Sequence, residues 1–151
     1  MSAEQSKLWL CPQLMASVQG ALNVPWILDI DATIKPLYGT QEGAEIGYNP
    51  HKPGRPSHAF HTYLVANLRL EMDAVVTPGN ESSSASLRPG LIEVLEKLSP
   101  NQQPTLVRDD CGFGNEAFIL ALEERSQAYL LKLRKSPALQ KLFARHFSSA
   151  D

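Results

Sequence analysis

Residues 26–33, WILDIDAT, set two carboxylates at the end of an otherwise apolar run, and this stretch limits the possible folds most sharply. Side chains alternate across an extended strand, so Ile27, Asp29 and Asp31 share one face and Trp26, Leu28 and Ile30 the other. Pro25 precedes the run, and its bulky and β-branched residues predict a central strand with both faces mostly covered. A charge buried there is costly unless it is paired, hydrogen-bonded or bound to metal. A divalent cation would compensate Asp29 and Asp31; so would a backbone turn capped by an Asp side chain, and the pair alone leaves both readings open.

The rest of the chain supplies strands and helices to surround it. Leu14, Val18, Ala21 and Leu22 recur at helical spacing, which predicts a helical lead-in over residues 1–24 and a second unit over 25–151. Residues 39–56 are dense in Gly and Pro and read as a long loop. Residues 58–70 and 72–77 read as a hairpin, 91–98 as a helix, 103–110 as a strand ending in acids and 115–125 as a helix. A fifth strand over 128–133 and a helix over 138–147 follow. The order predicts a mixed α/β sheet flanked by helices, with the carboxylates of WILDID and TLVRDD converging beyond the ends of parallel strands.

Oxygen ligands alone, without HExxH or a cysteine set, suit Mg²⁺ or Mn²⁺ and the two-ion chemistry of phosphoryl transfer. His58 and His61 fall on opposite strand faces and read as packing or hydrogen-bonding residues. Cys11 and Cys111 are the only cysteines, which argues against a disulfide framework and for a reducing cytoplasm. Cys111 reads as a small buried residue, and the CGFGNE turn as a strand-to-helix connection with Asn115 as N-cap. No run is long enough to span a bilayer, and no GxxxxGK[ST] loop supports nucleotide hydrolysis. The net charge of −2 conceals two acid-free stretches, 51–70 and 128–147. From them Lys52, Arg55, Lys132, Arg134 and Lys135 are candidate DNA-phosphate contacts; the bland alternative is a solvated strand edge and an amphipathic helix.

WILDIDAT, GYNPHKPGRPSH, VVTPGNESS and LVRDDCGFGNEAFI, in this order, resemble the insertion-sequence DDE transposases of the subgroup with the GYNPHKPGRPSH signature, over about residues 26–135. The resemblance implies a ribonuclease-H-like fold and metal-dependent cutting and joining of DNA at inverted repeats, near the nucleoid, by a possible homo-oligomer of the full-length protein. It places the first two catalytic, metal-binding acids on Asp31 and Asp110, with Asp29 and Asp109 as neighbours. The third acid of such enzymes is a Glu after the fifth strand, and residues 126–150 contain no Asp or Glu. The chain is therefore expected to be an N-terminal piece of a transposase, inactive alone. The alternatives are a small metal-dependent nuclease and a non-catalytic DNA-binding remnant.

Overall fold

Leu28 and Ile30 are at most 3% exposed while Asp31 between strand neighbours faces solvent, so the alternation read from the sequence is realised along one strand. The structure is a computed structural model that describes residues 3–49, 51–81, 83–109, 116–132 and 136–147. In chain order the elements are α1 (Ala3–Val18), β1 (Ile27–Pro36), β2 (Glu45–Ile46), β3 (Pro56–Val65), β4 (Leu70–Pro78) and α2 (Ser83–Glu96). β5 (Leu106–Asp109), α3 (Glu116–Glu123), β6 (Tyr129–Leu131) and α4 (Pro137–Phe147) follow. The sheet runs β2-β3-β1-β5-β6, with β4 also paired to β3. β1 is antiparallel to β3 and parallel to β5, which is parallel to β6. This is the mixed sheet flanked by helices that the sequence predicts, with the short β2 added inside the stretch read as a loop.

One face of the sheet carries the core. Trp26, Leu28, Ile30, Tyr63, Val65, Met72 and Val107 meet Val18 and Leu22 from the α1 end, Leu91, Val94 and Leu95 of α2, and Phe118 and Leu122 of α3. The expectation that β1 is covered on both faces is corrected here. Among the described residues the helices with buried side chains pack on the Leu28 face, and α4 buries none, leaving the Asp29 and Asp31 face open. α2 also differs from the expected helix at 91–98, for it starts at Ser83 and continues through Pro89. A Cβ on Gly90 would lie 2.1 Å from the Tyr63 hydroxyl, so the glycine allows the helix to approach the sheet closely.

His58 and His61 do lie on opposite faces of β3. His61, 1% exposed, hydrogen-bonds through Nε2 with Thr77 Oγ1 at 3.1 Å, and burial holds its pKa below the ordinary histidine value. The unfolded state therefore binds more protons than the native state as pH falls through about 6.5, and stability is lost towards acid. Thermal melts between neutral pH and about pH 5.5 should show a decline that His61→Gln reduces; equal slopes would remove His61 as the cause.

Candidate active site

The sheet register gathers a row of side chains on the open face. Leu64 of β3 pairs with Asp29 of β1, which pairs with Arg108 of β5, which pairs with Leu130 of β6. On the far side Leu64 pairs with Glu71 of β4. A bulge explains why Glu71 is there. The register slips between Tyr63 and Leu64, so Glu71 and Asp73, two apart in sequence, reach opposite faces instead of one. Asp73 is buried on the helix side, where Lys97 donates to its Oδ2 at 3.0 Å and the Ala74 backbone N–H to its Oδ1 at 2.8 Å.

Around this row lies a cleft of about 830 Å³ lined by Asp29, Ile30, Asp31, Thr62, Leu64, Glu71, Arg108, Asp109, Leu130, Leu131 and Lys132. Its two β1 aspartates differ. Asp29 accepts Nε and Nη2 of Arg108 at 2.7 and 2.6 Å, a fork that neutralises its charge and leaves it a quarter exposed. The same hydrogen bonds raise the pKa of the half-exposed guanidinium further. Asp31 is exposed, and its Oδ2 accepts the Thr33 hydroxyl at 3.3 Å, so the D-x-T spacing orients the carboxylate along its own strand. Asp109, 5% exposed, pairs in the ladder with Ile30 and so shares the helix-side face.

Asp110, Cys111, Asn115 and the CGFGNE turn lie outside the described residues, as do Arg134 and Lys135. Of the five basic candidates, Lys132 lines the cleft beside β6. Lys52 and Arg55 gather elsewhere, at Tyr38 just past the end of β1, Lys52 on the hydroxyl and Arg55 over the ring at 4.5 Å from its centroid. Among the described residues no three His, Cys, Asp or Glu side chains come together closely enough to hold a metal ion. Sequence reasoning missed Arg108, Glu71 and Tyr38. Only Arg108 left a trace, standing two residues before Asp110 as Asp29 stands two before Asp31.

Residues 9–151 match the model of the family described as Transposase DDE domain group 1. The chain belongs to this family. Among solved structures this transposase domain is similar to a piggyBac transposase synaptic complex with hairpin DNA, at 16% identity and TM-score 0.48, over 78% of this chain and 26% of that one. It is similar to the Mos1 mariner paired end complex with Mn, at 14% identity and TM-score 0.43, over 93% of this chain and 53% of that one. A simian T-cell lymphotropic virus intasome in complex with PP2A regulatory subunit B56 gamma matches at 15% identity and TM-score 0.39, over 82% and 42%. The transposase domain thus spans between about a quarter and about a half of these three chains. The comparison with curated proteins finds no match. Among its described residues no helix is long and apolar enough to cross a membrane.

Proposed function

We propose that this chain supplies the first two carboxylates of a DNA-transposing active site, Asp31 and Asp110, which hold a divalent ion, Mg²⁺ or Mn²⁺, at the ends of a mobile element. The observation that carries the reading is the parallel β1–β5 ladder at the cleft, with Asp29 opposite Arg108 and Ile30 opposite Asp109. Asp31 follows Ile30 and Asp110 follows Asp109, each across a single peptide bond, and consecutive Cα atoms are about 3.8 Å apart. The proposal sets Asp110, one residue after Asp109 in the sequence, beside Asp31 at this cleft. Arg108 takes Asp29 out of the ligand set by neutralising it, and Thr33 keeps the Asp31 carboxylate turned along the open face.

An exposed carboxylate in an all-oxygen setting fits a hard divalent cation, which when bound stabilises charge developing on phosphate oxygens. The chain's own residues bind and orient. Asp31 and Asp110 fix the ion, and Lys132 at the cleft wall meets a strand phosphate. The DNA substrate is the inverted-repeat ends, and the full-length enzyme works as a homo-oligomer. Titration with Mn²⁺ followed by electron paramagnetic resonance tests the site. One weakly bound ion is expected, lost or weakened at least about tenfold in Asp31→Asn and Asp110→Asn but not in Glu42→Gln. Unchanged binding in both aspartate variants would refute the assignment.

A further inference from the structure

Hydrogen bonds brace the loop before β3, and its residues 51–55 are exposed. Asn49, 5% exposed, accepts the backbone N–H groups of His51 and Lys52 on its Oδ1, both at 3.1 Å. The Arg55 N–H closes back on the Lys52 carbonyl, and Gly54 between them has φ +78°, so Lys-Pro-Gly-Arg forms a turn needing Pro second and Gly third. The Leu37 N–H then bonds the Pro56 carbonyl at 2.9 Å, tying this turn to the chain leaving β1. The result brings Lys52 and Arg55, the turn's first and last residues, onto Tyr38. The Lys52 ammonium donates to the Tyr38 hydroxyl oxygen, which lowers the phenol pKa from its ordinary value. Tyr38 is still 66% exposed, and Tyr48 of the same loop is 78% exposed.

A guanidinium over a solvent-facing aromatic ring and an ammonium at its hydroxyl, ordered by a braced turn, serve no packing purpose. They match the chemistry that grips an unpaired nucleotide, where a base stacks on an aromatic or guanidinium plane and cations meet the flanking phosphates. A duplex offers cations its phosphates but keeps its base faces stacked. The position agrees. Asp31, Thr33 and Lys35 are successive exposed residues on the open face of β1, which continues for about 17 Å from Asp31 to Pro36 before the chain reaches Tyr38. We propose that Tyr38, Lys52 and Arg55 form a binding site for an unpaired DNA strand that leaves the cleft along β1, with Lys35 meeting a phosphate on the way. The proposal rests on the reading that DNA is the substrate.

Fluorescence anisotropy with a labelled oligothymidylate of about 15 nucleotides, and a duplex of the same length, tests it in chelator and low salt. The wild-type chain should favour the single strand. Tyr38→Ala should weaken single-strand binding about tenfold while Tyr38→Phe retains it, and Lys52→Gln with Arg55→Gln should lower the salt slope by about 0.7 per lost phosphate contact. Wild-type single-strand affinity in Tyr38→Ala, with circular dichroism unchanged, would overturn the proposal. A Tyr38→Phe loss equal to that of Tyr38→Ala would do the same, since the ring would then not be what binds. The metal titration and this chelated assay report separately, so either reading can fail while the other stands.

Discussion

Incubated in Mn²⁺ with a supercoiled plasmid carrying its inverted repeats, the 151-residue chain is expected to leave the DNA uncut, orders of magnitude below a complete active site and level with Asp31→Ala. The reason is charge and geometry. Two divalent ions and a phosphate in flight need several anionic oxygens held in place, and the proposed pair, Asp31 with Asp110, would supply two carboxylates. Asp29 is already neutralised by Arg108, and residues 126–150 hold no acid. Cleavage by the wild type that Asp31→Ala abolishes would show that the chain contains its own third ligand. The structure names the first residue to test then: Glu71, which the β4 bulge turns into the same cleft.

Trp26→Ala should lower folding stability by about 3–5 kcal/mol, the usual cost of truncating a buried aromatic residue to Ala. Trp26 is 2% exposed where the chain enters β1, and it does more than fill space. Its Nε1 donates to the Gln102 carbonyl at 3.1 Å, and its own carbonyl accepts the Thr105 N–H at 2.9 Å and hydroxyl at 2.7 Å. These bonds align β1 with β5, the two strands whose parallel ladder lies at the cleft. Such a loss is a large share of the stability of an ordinary domain, and for one of this size lowers the melting temperature by about 6–20 °C. Urea unfolding followed by far-ultraviolet circular dichroism reads it. Trp26→Phe, which keeps most of the apolar area, should lose about 1–2 kcal/mol. A change below about 1 kcal/mol in Trp26→Ala would mean that the residue does not close the core.

Much of the fold was legible because its signals are local. Period-two alternation marked β1, helical spacing marked α1 and α3, and the apolar run before Asp109 marked β5. The beginning of α2 was not legible. The spacing of its apolar residues started the helix at Leu91, and only the approach of the helix to Tyr63 shows why glycine stands at position 90. The basic candidates were read as one set of phosphate contacts. The structure brings Lys52 and Arg55 to Tyr38, 14 residues from Lys52, and sets Lys132 at the cleft beside the edge strand β6.

The site shows the same division. Alternation along one strand was enough to put Asp29 and Asp31 on a common face, because that pattern depends only on the pleat of the backbone. Which aspartate is neutralised and which stays exposed depends on the parallel register with β5, set 79 residues away, which puts Arg108 opposite Asp29. Likewise the sequence alone holds Glu71 and Asp73 at equal footing. The bulge against β3 sends one to the cleft and the other to the core, because a ladder slip of one residue reverses the faces that side chains meet.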